Sequence, residues 1–294
     1  MQQNLDQQPP KLLRKSSVFR TLATLSIVCL FVLTACGGTN GTQQTGNQIK
    51  RGGQLHVGLI AEPTVLDPLT SVTLYDADIM ENMYDTLFRY DDKNQLQPDL
   101  VSSYVYNSPT LLDLKLHTGI LFQDGTPFNA DAVIYNLNRF INDKASPRYT
   151  DVSDITSLQK ISDSELVIHL QKPFAPFLGA LSGGAGYMIS PTALKKLGKG
   201  FGNAQTNAGS GPFIFVEWIK GDHLLLKANP HYWRKDAQGN ALPYLSSIRY
   251  RTITNGSVMF TNLETGSVQV ATGISPNDVA SVKSNSSLTY NQVS

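Results

Sequence analysis

Residues 112–139 read LDLKLHTGILFQDGTPFNADAVIYNLNR, and two periodicities meet inside that stretch. Leu112, Leu114 and Leu116 alternate with Asp113, Lys115 and His117. Successive strand side chains point to opposite faces, so the pattern predicts a half-buried strand. Asp124-Gly125 marks a turn. Asn129 stands where a capping side chain accepts from free backbone N–H groups, and Asp131 lies near the positive helix end. Val133, Ile134, Leu137, Phe140 and Ile141 then recur at helical spacing. A strand, a turn and an amphipathic helix in succession place the chain among proteins that pack helices on sheets.

The same reading extends outward. Residues 101–106 form a strand that pairs with 112–116 across Asn107-Ser108-Pro109-Thr110. Upstream, Leu55, Val57 and Leu59 alternate as a strand, followed by the loop AEPTVLDP at 61–68. A helix carrying Ile79, Met80, Met83 and Leu87 on one face comes next. Downstream, 155–161 and 165–170 flank Ser162-Asp163-Ser164 as a second hairpin. Ser190-Pro191 opens a short helix that Gly198 ends. A third hairpin joins 213–218 to 224–228 through Gly221-Asp222. Strands are expected at 248–253, 268–270 and 288–293, with helices at 258–265 and from Ser275-Pro276 to about 283. The class is mixed α/β with antiparallel hairpins.

The N-terminus has a different composition. Lys11, Arg14, Lys15 and Arg20 precede TLATLSIVCLFVL at 21–33, and Thr34-Ala35-Cys36 follows. A basic start, a short apolar run and small residues are the parts of a secretory signal. The run has 13 residues, against roughly 20 for a membrane-spanning helix. The glycine-rich segment after Cys36, GGTNGTQQTGNQIK, reads as a flexible tether. The chain holds 24 basic and 23 acidic residues, of which four and one lie in 1–35. That leaves 20 and 22 from Cys36 onward, a net of −2, with no basic field for nucleic acid. Cys29 would leave with the signal and Cys36 would carry lipid, so the exported part has no disulfide.

Motifs for chemistry are missing from the sequence. Ala208-Gly209-Ser210-Gly211 lacks the glycine two before the serine that a nucleophile elbow needs. Gly184-Ala185-Gly186 lacks the third glycine of a dinucleotide loop. His56, His117, His169, His223 and His231 are scattered, none with a metal-binding neighbour at ligand spacing. Asp91-Asp92-Lys93-Asn94 lacks the glycine and closing glutamate of a calcium loop. No catalytic residue, metal site or cofactor is expected.

Five segments, taken in order, resemble the family 5 extracellular solute-binding proteins, the oligopeptide-, dipeptide- and nickel-binding receptors of ABC importers. They are RGGQLHVGLIAEPTVLDP at 51–68, ENMYDTLFRYD at 81–91, LQPDLVSSY at 96–104, the stretch 112–139, and GSGPFIFVEWIKGDHLLLKANPHYW at 209–233. Leu33-Thr34-Ala35-Cys36 likewise resembles a bacterial lipobox, with Cys36 as the lipid attachment. The resemblance implies the first lobe of a type II (cluster C) periplasmic-binding-protein fold that closes on its ligand by hinge motion. The implied organisation is a signal peptide at 1–35, a tether at 36–51, a first lobe at 52–275 with an inserted subdomain near 80–205, and the start of a second lobe at 276–294. Most of that second lobe is expected to be missing. By the same resemblance Glu62, Pro63 and Thr64 would line the cleft, with Glu62 alternatively a structural cap or hinge contact. Tyr149, within Ser146-Pro147-Arg148-Tyr149, would face the ligand, and Gly209-Ser210-Gly211 would lie near the cleft. Tyr232 and Trp233 look like a structural corner. Relatives usually carry an acidic pair where this chain has Gly266-Ser267-Val268-Gln269, so contacts made by those carboxylates are not expected to carry over. The implied protein sits on the outer face of the cytoplasmic membrane and binds peptides or similar small solutes for an ABC permease. A nickel-chelate or oligosaccharide receptor, or a surface adhesin or signalling lipoprotein on the same fold, is the alternative.

Overall fold

The structure, a computed structural model, describes residues 49–203 and 207–291. The export segment, Cys36 and most of the tether lie outside the described residues. The chain runs β1 (Gln54–Leu59), α1 (Leu74–Met80), β2 (Phe88–Tyr90), β3 (Leu96–Pro98), β4 (Val101–Ser108), β5 (Leu111–Leu116), α2 (Ala130–Asn142), α3 (Tyr149–Val152) and β6 (Ile155–Ser162). It continues through β7 (Glu165–Leu170), α4 (Phe177–Ala180), α5 (Pro191–Leu197), β8 (Phe213–Ile219), β9 (His223–Ala228), β10 (Ser247–Thr252), α6 (Gly256–Glu264), β11 (Val270–Ala271) and α7 (Val279–Ser284).

The stretch 112–139 builds the centre of one antiparallel sheet, ordered β4-β5-β7-β6. Leu112, Leu114 and Leu116 point inward with Leu166 and Ile168 of β7, and Val133, Leu137 and Phe140 of α2 complete the same core. Burying each such side chain contributes about 1.5–3 kcal/mol. The Asn129 side chain accepts from the Ala132 N–H and caps α2. Asn136, inside the apolar stripe, is fully buried. Its amide donates to the Ala132 and Ile189 carbonyls at 2.9 and 2.7 Å, and its oxygen accepts from the Ile189 N–H at 3.3 Å. It therefore ties α2 to the returning chain, whereas Ile134 and Ile141 only flank the core.

A second sheet is ordered β11-β1-β10-β9-β8. β10, β9 and β8 are antiparallel, but β1 pairs in parallel with both β10 and β11. Its core holds Val57, Leu59, Ile79, Met80, Leu224, Leu226 and Tyr250. The chain leaves this core after Tyr84 and rejoins it at Tyr187, and those two rings meet edge to face with centroids 6.1 Å apart. Three residues beyond the sheet, Ile253, Met259 and Val268, form a small separate cluster. Gly58 makes that packing possible, since a Cβ there would stand 2.2 Å from the Met259 sulfur.

Four local expectations need correction. α1 stops at Met80, and turns carry Met83 and Leu87 into the core. Leu87 accordingly belongs with the four-stranded sheet. The strand expected at 268–270 lies at 270–271, because Val268 turns inward to Met259. Residues 288–291 contain no strand. The parallel pairing of β1 and β10 joins residues nearly two hundred positions apart, which local pattern does not reveal.

Candidate functional site

Parallel strands end on the same sheet edge, and ligands of open α/β sheets bind outside such carboxyl ends. β1 delivers the 61–68 loop to that edge, and β10 ends there at Thr252. The Glu62 carboxylate accepts from Trp218 Nε1 at 2.9 Å, from Thr252 Oγ1 at 2.6 Å and from the Gly221 N–H at 3.4 Å. A carboxylate offers about four acceptor positions. Glu62 is half-buried, and three of those positions hold it to the sheet.

The rest of the loop is held from beneath. Asp76 is fully buried and accepts from the Thr64 N–H at 2.6 Å, Thr64 Oγ1 at 2.8 Å and Ser71 Oγ at 3.1 Å. Pro63 is buried and Thr64 is exposed. Asp67 pairs with Arg139 of α2 at 2.7 Å, which pins the loop to the other sheet's helix. Asp76 and the Asp67–Arg139 pair escaped the sequence reading. The one available signal was an acidic residue in the first turn of an apolar helix. Glu62 and Thr64 thus share a loop but point to different supports.

Tyr149 is half-buried at the start of α3, its N–H donating to the Ser146 carbonyl at 3.1 Å. Ser146 donates to the Leu69 carbonyl at 2.6 Å, so this segment is attached to the end of the same loop. Gly209 and Gly211 press on backbone at Met83 and Tyr84, where added Cβ atoms would stand 2.0 and 2.5 Å from the nearest atoms. The close approach is to the protein's own chain. Ser210 is 1% exposed and donates to Asp85 at 2.8 Å. Tyr232 and Trp233 donate to the same carboxylate at 3.1 and 2.8 Å. Burial first, and the Asp85 charge second, push the Tyr232 phenol well above its usual range. These residues form a structural corner.

On α1, burial raises the Asp78 carboxyl above its ordinary value. Burial likewise pushes up the neighbouring Tyr187 and Tyr250 phenols, aided by the Glu81 and Asp78 charges. Past the strand ends, an open hollow of about 910 Å³ is lined by Leu263, Ala271, Ile274, Val279, Val282 and Leu288.

A mixed sheet, a fixed loop at its parallel edge and a partner sheet from an inserted stretch define a type II periplasmic-binding-protein fold. The oligopeptide-binding protein AppA from Bacillus subtilis, solved with a nonapeptide, superposes with a TM-score of 0.71 at 25% identity, over 81% of this chain and 47% of its own. NikZ from Campylobacter jejuni, solved with Ni(L-His), gives 0.68 at 27% identity, over 79% and 45%. Residues 95–294 match the family model described as bacterial extracellular solute-binding proteins, family 5 Middle. The glutathione-binding protein GsiB of Pectobacterium atrosepticum is 34% identical over 210 residues, 71% of this chain and 40% of its own length. The chain belongs to the family 5 solute-binding proteins. It spans about 40% of the length of such relatives. They are binding proteins rather than enzymes. No described helix is long and apolar enough to cross a membrane.

Proposed function

We propose that this chain is the N-terminal part of a lipid-anchored receptor that captures peptides or similar small solutes for an ABC permease. The observation that carries this is the 34% identity to a glutathione-binding protein across 71% of the chain. On this reading 52–275 is the first lobe, with 80–205 as its inserted subdomain and 276–294 entering the second. Glu62, Pro63 and Thr64 supply the first lobe's wall. Glu62 accepts from a ligand ammonium or amide, since a charge-assisted hydrogen bond to a fixed carboxylate is among the stronger polar contacts. Tyr149 adds an aromatic edge near the same loop. Gly209, Ser210 and Gly211 serve by holding the corner behind it. Calorimetry with glutathione, a dipeptide series and nickel–histidine tests the proposal, on this protein and on any longer chain encoded past Ser294. Micromolar binding of one of them by the longer protein supports it. No binding by the longer protein to any of the three overturns it.

Cys36 is proposed as the anchor, because Leu33-Thr34-Ala35 ahead of it has the processing pattern. Two acyl chains hold stably where one is marginal. Cys36→Ala is expected to move the protein from the membrane to the soluble fraction and to abolish labelling by a palmitate analogue. Unchanged labelling would exclude that attachment.

A further inference from the structure

The hairpin that holds Glu62 on one face carries a buried histidine on the other. His223 opens β9 opposite Ile219, and its side chain is 4% exposed. Nε2 lies 3.0 Å from Glu217 Oε1. Nδ1 lies 2.8 Å from Asp222 Oδ2 and 3.0 Å from Arg249 Nη2. Arg251, in register with His223 on β10, adds a further positive charge near Asp222. Lys220 of the turn lies over the Trp218 ring at 4.9 Å.

One nitrogen cannot meet both of its neighbours at once. In the neutral ring Nδ1 accepts from Arg249 and the Nε2–H donates to Glu217. In the cation both nitrogens donate, so Nδ1 turns from Arg249 to Asp222, and Arg249 is left facing a like charge. Protonation therefore exchanges a strand partner for a turn partner. Histidine is the side chain whose charge ordinarily changes between about pH 5 and 8.

The consequence reaches Glu62 through single peptide links. Glu217 precedes Trp218, and Asp222 follows Gly221. Trp218 and Gly221 are two of the three donors to the Glu62 carboxylate. Each carboxylate that holds His223 is thus the chain neighbour of a group that holds Glu62. We infer that His223 is a positioning residue for the cleft-edge carboxylate, and that its protonation shifts the β8–β9 turn and resets the hydrogen bonds to Glu62. Only the word "cleft" rests on the receptor reading. The coupling between His223 and Glu62 belongs to the hairpin itself.

Nuclear magnetic resonance on the full chain tests it without any ligand, so it can fail while the receptor reading stands, and the reverse. The Trp218 indole N–H signal, assigned by its loss in Trp218→Phe, is followed from pH 5 to 8 beside the His223 ring protons. The expected result is one shared midpoint for the two signals, and loss of the Trp218 shift in His223→Gln. A Trp218 signal that stays fixed while His223 titrates overturns the coupling. So does an equal shift, with the same midpoint, in His223→Gln, which would assign it to another group. The wild-type comparison stands alone should the variant fold poorly.

Discussion

Glu62 shows how one side chain joins a loop to a sheet edge. Three donors converge on it from β8, the β8–β9 turn and β10. Glu62→Ala leaves the Trp218 indole N–H and the Thr252 hydroxyl without their acceptor. Losing such a bond costs about 1–3 kcal/mol when the orphaned group is shielded from water. Urea unfolding should show a loss near the lower end, since the site is only half-buried, and Glu62→Gln should restore part of it. No change in the midpoint for Glu62→Ala would mean that water replaces the carboxylate freely. Asp78 has the opposite character. Burial raises its carboxyl from the ordinary 3.8, so the folded state holds its proton more tightly than the unfolded chain. Stability contributed this way is present below about pH 3.8 and is lost as pH rises through the raised value. Asp78→Asn should therefore raise Tm at pH 7 and confer nothing at pH 3. A benefit equal at both pH values would remove burial of the charge as the cause.

Elements divide by whether their evidence is local. α2 was legible because its cap and its apolar stripe both lie within 129–141, and each has a simple physical reason. The hairpins β4–β5, β6–β7 and β8–β9 were legible for the same reason, as alternation broken by a turn. Asn136 was not, since a polar residue inside an apolar stripe is explained only by the Ile189 backbone across the fold. Asn136→Ala should thus cost more than Asn129→Ala. The first leaves a buried backbone N–H and C=O of Ile189 without partners, about 2 kcal/mol or more. The second removes one half-buried cap that serves a single N–H, about 1 kcal/mol. Thermal unfolding separates the two, since 1 kcal/mol moves Tm by about 2–4 °C in a domain of this size. Equal losses would show that the Asn136 site relaxes to satisfy Ile189. The candidate site followed the same division. The loop 61–68 could be named from its sequence, but not the carboxylate beneath it or the arginine from α2, which depend on residues brought together only by the fold.

Among the described residues, the loop edge and the hollow beyond it form a wall rather than an enclosed chamber. The parallel edge of β1 and β10 sets the Glu62 loop on one side, and α6, β11 and α7 lie beyond it around an open hollow. The 294 residues correspond to about 40% of the length of the glutathione-binding relatives. Binding sites for small molecules bury roughly 70–90% of the ligand surface. A single wall leaves the far side of the ligand in water and forfeits its share of apolar burial and polar contacts. Each 1.4 kcal/mol forfeited weakens Kd about tenfold. A loss of about 3 kcal/mol or more is therefore expected for residues 1–294 relative to any longer chain that encloses the ligand, a hundredfold or greater difference in Kd. Titration calorimetry of both proteins with the same solute measures it directly. Submicromolar binding by the 294-residue chain would show that the 61–68 loop and its neighbours bury enough of the ligand unaided, and that the wall is itself a complete site.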